Sequence, residues 1–382
     1  MKTTKKPKLL FVVTEDWYFC SHRLPLGLAA LADGMEVALA TNVSSHAEAL
    51  RAAGITVFPW YIRRGSTGLW SELRSLASLL GIYVRYRPDL VHHVAIKPVL
   101  YGSLLARLTG VARVVNALGG MGALFTGEAG QRQGLRRLVL TGFRWLLGGK
   151  RSILILQNPD DCAVLVEQAG VARSAIRLIR GGGVNLDDFA VLPEPAGVPL
   201  VVLPARMLAD KGVAEFVAAA ASLRQAGVVA RFALVGGTDP ANPAAIDAAQ
   251  LARWVDEGAV EWFGRRDDMP AVLAAAAIVC LPSYREGLPK ALLEAAACGR
   301  AIVATDVPGC REIVRHEHNG LLVPARDSAA LAAALARLLA APALRQAMGQ
   351  AGRRMAVEEF SDTLIVAQTR AIYRALLAPA LP

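Results

Sequence analysis

Short, continuous apolar runs alternate with longer segments of helical periodicity along the whole chain. The runs are rich in leucine and β-branched residues, and they are typical of parallel strands covered by helices on both faces. In the first half they are 9–13, 36–41, 89–95, 113–118, 152–157 and 176–180, and in the second half 200–206, 231–237, 260–264, 277–283, 301–306 and 320–324. The pattern therefore predicts an α/β protein with two doubly wound, Rossmann-like domains.

The division between the two domains is predicted from proline content. Three prolines in 191–200 (VLPEPAGVPL) indicate a linker. We expect an N-terminal domain at 1–190 and a C-terminal domain at 201–357. Beyond the last predicted strand, 358–382 has a helical pattern through about Leu377. We expect this helix to return to the N-terminal domain.

Several protein classes are excluded by what the chain lacks. The first apolar run has five residues before Thr14, too few for a signal-peptide core, and no run of 18 apolar residues predicts a membrane span. The five cysteines are scattered, which indicates reduced thiols in a cytosolic protein rather than a disulfide framework or a zinc site. Without G-x-G-x-x-G after the first strand or a Walker lysine loop, a dehydrogenase or a P-loop enzyme is not expected.

The net charge of +10 lies entirely in the first half of the chain. Residues 61–151 contain 14 basic and 3 acidic residues, so we expect an anionic partner. In 131–151, apolar residues at helical spacing share the helix with Arg136, Arg137 and Arg144. Such a helix suits an anionic membrane surface, and the alternative is a helix packed on its own sheet with its arginines in water. Few aromatics and no nucleic-acid module argue against a nucleic-acid partner.

Two glutamates in SYREGLPKALLEAAACG (283–299) suggest a ligand site. Pro289 suits the first position of a helix, and Gly299 suits the position after its last turn. Glu286 would then lie in the loop at the helix N-terminus, with Glu294 about a turn and a half inside the helix. Phosphates bind well at a helix N-terminus, so a nucleotide-sugar placed there could reach both carboxylates.

These motifs resemble those of the retaining GT-B glycosyltransferases that carry the "glycosyl transferases group 1" domain. The resemblance covers most of the chain and is strongest from 205 to 324. It is carried by ARMLADKG (205–212), WFGRRDDMP (262–270), SYREGLPKALLEAAACGRAIVATDVPGCREIV (283–314) and NGLLVP (319–324). It implies a GT-B fold, in which two Rossmann-like domains face each other across a cleft.

The same resemblance implies roles for the matched residues. Glu286 would contact hydroxyls of the donor sugar, and Glu294 would hold the ribose hydroxyls. Arg206 and Lys211 would bind the diphosphate. The triple glycine that ends at Gly183 resembles the family's domain-junction loop, where backbone N–H groups can approach phosphate. The predicted catalytic residues are Arg206, Lys211 and Glu286; the predicted donor-binding residues are Glu294, Gly287, Leu288, Pro289, Lys290, Arg265, Gly182 and Gly183.

The first half resembles a narrower branch of the family. The motifs are CSHRLPL (20–26), VHHVAIKPVLYGSLLARLTG (91–110) and VVNALGGMGALF (114–125). Members of that branch add N-acetylhexosamines or related sugars to polyprenyl-diphosphate-linked saccharides for O-antigen, capsule or protein-glycan assembly. The resemblance implies a UDP-sugar donor such as UDP-GalNAc and a lipid-linked acceptor. The basic region and its amphipathic helix lead us to expect a peripheral location on the inner face of the cell membrane.

One departure from the family pattern concerns a histidine. Many members have one after the strand that corresponds to 113–118, where this chain has two glycines, Gly119 and Gly120. The role of the family histidine is either lost, or performed by backbone groups, or taken over by another histidine. The histidines that could take it over are His22, His92 and His93. The acceptor-side candidates are His22, Arg23, His93, Lys97 and Gly119.

No D-x-D triplet occurs in the chain, so we expect no metal or other cofactor. Arg206, Lys211 and the helix N-terminus would instead neutralise the departing UDP. The resemblance implies transfer with retention, in which the acceptor attacks on the face that the phosphate leaves. The alternatives are a UDP-sugar 2-epimerase of GT-B architecture, which needs no acceptor, and a GT-B transferase with a different donor or a soluble acceptor.

Overall fold

The computed structural model describes residues 6–62, 68–120, 133–147, 152–240 and 242–378. These residues form two compact units. The first unit contains the described residues up to Gly182 together with those from Thr363 onward. The second unit is Gly183–Asp362.

The described part of the first unit has a parallel seven-stranded sheet in the order β3-β2-β1-β4-β5-β6-β7. Its strands are β1 Lys8–Glu15, β2 Glu36–Asn42, β3 Thr56–Pro59, β4 Leu90–Val94, β5 Val114–Leu118, β6 Ser152–Leu156 and β7 Ile176–Leu178. The central strands β4 and β5 are buried along their whole length because helices cover both faces of the sheet.

Two layers of helices cover this sheet. The layer containing α1 Asp16–His22, α2 Leu24–Ala32, α3 Ala47–Ala52 and the C-terminal α15 Asp362–Leu377 shares a core with Leu9, Phe11 and Val13 of β1. On the other face lie α4 Leu69–Tyr86, α5 Ile96–Leu108, α6 Gln133–Leu146 and α7 Pro159–Ala169. The alternating residues Leu10 and Val12 of β1 pack against that second layer.

The described part of the second unit has a parallel six-stranded sheet in the order β10-β9-β8-β11-β12-β13. Its strands are β8 Leu200–Pro204, β9 Arg231–Val235, β10 Glu261–Trp262, β11 Ile278–Leu281, β12 Ala301–Thr305 and β13 Gly320–Val323. Its helices are α8 Val213–Gln225, α9 Ala248–Asp256, α10 Met269–Ala275, α11 Lys290–Ala297, α12 Cys310–Ile313, α13 Ser328–Ala340 and α14 Pro342–Glu359. One apolar core lies on each face of the sheet.

All twelve predicted apolar runs contain strands, but the sequence reasoning missed β3. This edge strand has only four residues, and Pro59 ends it. The boundary between the units also differs from the expected linker at 191–200. Residues 183–200 belong to the second unit, because Val184 and Phe189 are buried in its core.

Among the described residues, no single helix is long and apolar enough to cross a membrane. One bent pair, α13 with α14, meets the length and composition requirements together, with an angle of 102° between its two helices.

Candidate active site

The sheet of the second unit reverses its winding between β8 and β11. β8 is the first strand of the unit, β9 lies on one side of it and β11 on the other. The helices that follow, α8 and α11, cover opposite faces, because they contribute to different cores. Ligands of doubly wound sheets bind beyond the carboxyl ends of the strands at such a reversal. The loops after β8 and β11 carry Lys211 and Glu286.

Lys211 and Glu286 meet directly at this edge. Lys211 Nζ donates to Glu286 Oε1 at 2.6 Å, and Ser283 Oγ donates to the same oxygen at 2.7 Å. The lysine and glutamate side chains are 17% and 13% exposed, so the pair is sheltered but open to a ligand. Ser283 is fully buried, and its carbonyl oxygen accepts a hydrogen bond from the Thr305 hydroxyl of β12. The sequence reasoning did not single out Ser283 or Thr305, although Ser283 is the first residue of the quoted motif.

The position of Lys211 depends on the glycine that follows it. Ala209–Lys211 form a short 3-10 turn, and Gly212 has φ +70° before α8 begins. A Cβ at Gly212 would lie 2.1 Å from the carbonyl oxygen of Pro282, so only glycine allows this close approach of the two loops. The motif KG therefore places Lys211 against the loop that holds Glu286.

Helix α11 places Glu294 below the same loop. Pro289 precedes the first residue, Lys290, and takes the N-cap position rather than the predicted first helical position. Glu294 is 8% exposed, and Lys290 Nζ lies 3.4 Å from its Oε1. Burial raises the pKa of the Glu294 carboxyl, and the charge of Lys290 opposes this effect. Leu288, in the turn that leads into the helix, packs against the core of the unit.

Two arginines lie along the same edge on the β9 and β10 side. Arg206, after β8, donates from Nη1 to Asp239 Oδ2 at 2.7 Å, and Asp239 follows the neighbouring β9. Arg265, after β10, is highly exposed and pairs with Asp267 at 3.3 Å. Asp239 is a further residue that the sequence reasoning missed. Strands β8 and β10 thus direct cations to one edge, with Arg206 and Lys211 nearest the reversal.

Tyr284 links the two central loops of this edge. Its backbone N–H donates to the carbonyl oxygen of Asp210 at 2.9 Å, and its hydroxyl donates to Glu215 Oε1 at 2.6 Å. Arg326 lies 4.6 Å from the centroid of its ring. Burial and the hydrogen bond to Glu215 raise the pKa of Tyr284 to about 12, so its hydroxyl stays protonated and remains a donor. Tyr284 therefore supports the geometry of the Lys211–Glu286 contact.

The predicted junction glycines lie where the chain passes from one unit to the other. A Cβ at Gly182 would lie 2.6 Å from the carbonyl oxygen of His22. Gly183 has φ +78°, and a Cβ there would lie 2.4 Å from Cα of Asp362. Both glycines are thus required by close backbone packing, whether or not a phosphate binds at this loop.

In the first unit, His22 and Gly119 come together through Tyr18. The His22 ring stacks on the Tyr18 ring with centroids 4.1 Å apart, and His22 Nδ1 lies 3.3 Å from the Tyr18 carbonyl oxygen. A Cβ at Gly119 would lie 3.1 Å from Tyr18 Oη. Both candidates therefore lie at the carboxyl edge of the first sheet, next to its reversal between β1 and β4.

Asp16 is an unpredicted residue at this reversal. Its carboxylate is fully buried and accepts bonds from the backbone N–H groups of Trp17, Ser44 and His46 and from the Ser44 hydroxyl. Burial acts to raise the pKa of Asp16, but these hydrogen bonds outweigh it and lower the pKa. The carboxylate therefore fixes the loop after β2 onto α1.

The structure places His93, an acceptor-side candidate, in the interior of the first unit. His93 is fully buried, with Nε2 2.6 Å from Tyr83 Oη and Nδ1 2.7 Å from Asn116 Oδ1. Burial lowers the pKa of His93 to about 4, while the bond to Asn116 acts in the opposite direction. The ring is a neutral member of an internal hydrogen-bond network.

His92 and Arg23 are enclosed in the other core of the first unit. His92 Nδ1 bonds to the hydroxyl of Tyr373 from α15, and burial, with Arg23 and His93, lowers the pKa of His92 well below its usual range. Arg23 is also buried, with Nη1 3.5 Å from the carbonyl oxygen of Gly181. The guanidinium of this acceptor-side candidate therefore lies inside the unit rather than at its surface.

Lys97 is held in an ion pair. Its Nζ donates at 2.8 Å to Glu72 of α4, and the Tyr101 hydroxyl donates to the same carboxylate. Among the residues that the structure describes, no three His, Cys, Asp or Glu side chains are close enough to hold a metal ion. All five cysteines are free thiols.

Two family models match the chain. Residues 198–341 match the model described as "Glycosyl transferases group 1", and residues 8–155 match that described as "Glycosyl transferase 4-like". Each match falls within one of the two units.

Relatives and solved structures agree with these matches. N,N'-diacetylbacillosaminyl-diphospho-undecaprenol alpha-1,3-N-acetylgalactosaminyltransferase of Campylobacter jejuni is 29% identical over 337 residues, covering 85% of this chain and 87% of that protein. Sucrose-phosphate synthase from Thermosynechococcus elongatus has a TM-score of 0.82 at 23% identity, covering 97% of this chain and 99% of that one.

Anabaena HepE, solved in complex with UDP-glucose, has a TM-score of 0.76 at 18% identity, covering 96% of this chain and 99% of that one. At such identities the structural likeness supports the fold, and the family models with the sequence relative support the activity. The chain is a glycosyltransferase with the GT-B fold, and it contains a glycosyl transferases group 1 domain and a glycosyl transferase 4-like domain.

Proposed function

We propose that this glycosyltransferase moves a sugar from a UDP-sugar to a polyprenyl-diphosphate-linked saccharide, with retention at the anomeric carbon. The main observation that supports a donor site in the second unit is the 2.6 Å contact between Lys211 and Glu286 at the reversal of its sheet. The lipid-linked acceptor is supported by the Campylobacter jejuni relative, whose name specifies an undecaprenol-linked substrate. That name also supports an N-acetylhexosamine such as GalNAc as the transferred sugar.

The cations of the second unit bind the diphosphate in this proposal. Lys211 and Glu286 form an ion pair with no net charge, and an incoming diphosphate recruits the Lys211 ammonium together with the guanidinium of Arg206. The N-terminus of α11, from Pro289 to Lys290, adds the favourable end of a helix dipole. Fixed donors of this kind stabilise the charge that develops on a leaving phosphate, typically by about 3–4 kcal/mol for one donor.

The two glutamates bind the hydroxyl groups on either side of the diphosphate. Glu294, one turn inside α11, accepts bonds from the ribose hydroxyls. Glu286 uses Oε1 for Lys211 and Ser283, and its Oε2 is the oxygen assigned to the donor sugar. Gly287, Leu288 and Pro289 shape the turn between the two acids.

The reaction breaks the bond between the anomeric carbon and the β-phosphate oxygen and forms one bond to an acceptor hydroxyl. The acceptor attacks on the face that the phosphate leaves, and the departing phosphate oxygen takes the hydroxyl proton. The products are UDP and the extended saccharide. Lys211 and Arg206 hold the phosphate during this transfer, and no metal ion takes part.

On the acceptor side, His22, Tyr18 and Gly119 form the group at the edge of the first sheet that a saccharide would contact. The enzyme works at the inner face of the cell membrane, where its acceptor lies. Support for this location comes from α6, whose arginines Arg137 and Arg144 are exposed.

A donor and acceptor panel tests the proposal. Purified protein is incubated with a range of UDP- and GDP-sugars and a synthetic polyprenyl-diphosphate monosaccharide, and products are identified by mass spectrometry. We expect transfer from one UDP-N-acetylhexosamine, and NMR of the product should show the anomeric configuration of the donor. Conversion of a UDP-sugar without acceptor would instead identify a 2-epimerase, and transfer to a soluble saccharide alone would contradict the lipid-linked acceptor.

A further inference from the structure

The outer faces of α4, α5 and α6 form an unusually apolar surface on the first unit. These helices are neighbours, since α4 packs beside α5 and α5 beside α6. Among the described residues, they carry ten of the nineteen exposed large hydrophobic side chains. The ten are Leu69, Trp70, Leu73, Leu80, Val84, Leu104, Leu108, Leu135, Leu138 and Trp145.

Helix α4 contributes half of this surface, although the sequence reasoning had considered only 131–151. Leu69, Leu73, Leu80 and Val84 recur at spacings of four, seven and four, which places them within about 60° of one another around the helix. They extend over most of the 18-residue helix, about 27 Å long. Trp70, at the end nearest the carboxyl edge of the sheet, is 83% exposed. A different face of α4, which includes Leu79, Ile82 and Tyr83, packs in the core, so the stripe lies outside the core.

All exposed charges on the three helices are positive. The exposed charged residues are Arg74, Arg85, Arg107, Arg137 and Arg144. The single acid in these helices is Glu72, and Lys97 and Tyr101 already occupy its carboxylate. The surface therefore combines leucine and tryptophan with unopposed arginine.

We propose that the outer faces of α4, α5 and α6 together form the surface through which this protein docks on an anionic lipid bilayer. Leucine side chains enter the boundary between headgroups and acyl chains, and Trp70 and Trp145 lie at headgroup level, where their rings are most stable. The arginines contact lipid phosphates, each attracted by the negative surface potential.

A second copy of the chain fits this surface poorly. A two-fold dimer would place the same patch against itself, so arginines would face arginines with no acid to pair with them. An anionic bilayer supplies both the apolar phase and the opposite charge. The docking surface needs no catalytic step, but its use in bringing a lipid-linked acceptor to the enzyme rests on the proposed function.

Vesicle binding tests the surface without turnover. Full-length protein is floated with vesicles of phosphatidylglycerol and phosphatidylcholine, or of phosphatidylcholine alone, at low and high salt. Three variants separate the contributions: Leu73→Ser with Val84→Ser on α4, Arg74→Gln with Arg85→Gln on α4, and Leu138→Ser with Trp145→Ser on α6. Val229→Ser, an exposed valine of the second unit, is the matched control. UDP binding by each variant, together with its circular dichroism, verifies folding.

We expect binding to the anionic vesicles that weakens with salt. The double arginine variant should lower the partition coefficient about 25-fold, which is about fivefold for each arginine, and each apolar double variant should lower it about tenfold, while Val229→Ser has no effect. Equal binding to both vesicle types, or loss confined to the α6 variant, would overturn the three-helix surface. So would a concentration-dependent dimer in sedimentation velocity that the α4 variants abolish, since it would assign the surface to a second copy. A protein that binds vesicles as expected but transfers no sugar would contradict only the proposed function.

Discussion

The carboxyl edges of the two sheets have the same topology but use their polar residues differently. In the second unit, Lys211 and Glu286 meet at the strand reversal with part of each side chain exposed. In the first unit, two polar residues near the reversal are engaged internally instead: Asp16 binds a loop, and His93 lies in a closed network. A doubly wound sheet therefore supplies the place for a ligand, while the exposure of the polar groups decides whether they can bind one.

The largest effect is expected at Lys211, because this residue belongs to the exposed polar pair of the second unit. Lys211→Ala removes the cation nearest to Glu286, and we expect turnover to fall about 100- to 1,000-fold, as for loss of one preorganised donor. Steady-state kinetics with saturating donor measures this. The control is Arg231→Ala, which removes an exposed ion pair with Glu261 in the same unit and should leave the rate unchanged. A normal rate for Lys211→Ala would refute the diphosphate site.

The next effect concerns the closed network of the first unit. His93 has a pKa of about 4 in the folded chain, and about 6.5 is usual for an unfolded one. Below pH 6.5 the unfolded state therefore binds a proton that the native state does not, and stability falls as the pH drops towards 4. This linkage amounts to about 3 kcal/mol for a shift of this size. His92, whose pKa is also lowered, adds to the same slope.

Hydrogen exchange of β4 and β5 as a function of pH would measure this slope in the first unit alone. His93→Gln should lower stability at neutral pH, because Tyr83 and Asn116 lose their partner, and should make the slope shallower. His318→Gln, which removes an exposed histidine, is the control. If the slope is unchanged in His93→Gln, the histidine does not titrate as the network requires.

A smaller effect is expected at Glu294. Glu294→Ala should raise the dissociation constant of UDP about 10- to 100-fold, since charge-assisted hydrogen bonds to the ribose are lost. Because burial raises the pKa of Glu294, its charge at neutral pH opposes folding. Glu294→Gln should therefore bind UDP more weakly and yet unfold at higher temperature than the wild type. Calorimetry measures both quantities, and unaltered UDP affinity would remove the ribose assignment.

The smallest effect is expected at Ser283, whose hydroxyl donates a hydrogen bond to Glu286. Ser283→Ala should weaken binding of the UDP-sugar about tenfold and leave the affinity for UDP unchanged, because Glu286 faces the sugar in our proposal. Ser222→Ala, on the exposed face of α8, is the control. Equal weakening for UDP and UDP-sugar would show that Ser283 only maintains the fold of the loop.

The fold and the donor edge were predictable for a common physical reason. Buried parallel strands have continuous apolar sequences, and all twelve runs contain strands. Lys211 and Glu286 follow β8 and β11, which are separated by two strands in sequence but are neighbours in the sheet, so the winding of a doubly wound sheet brings the two side chains together. Asp239 and Thr305 were missed because each follows or ends a further strand and carries no motif of its own.

The same reasoning did not foresee the burial of residues in the first unit, because a sequence motif does not specify how exposed a side chain is. His92 and His93 are adjacent in β4, and successive residues of a strand point to opposite faces. In a sheet covered on both faces, each of the two is therefore buried in a different core. The edge strand β3 escaped notice because four residues ending in proline carry little strand pattern.

Helix α15 gives the chain an unusual order of completion during synthesis. The second unit lies between β7 and α15, so it leaves the ribosome whole while the first sheet still lacks one of its covering helices. Until residues 363–378 have been translated, the apolar side chains that later contact Ile365 are exposed to water. His92 also lacks its hydrogen bond to the Tyr373 hydroxyl. The first unit can thus be completed only after the whole second unit has been translated.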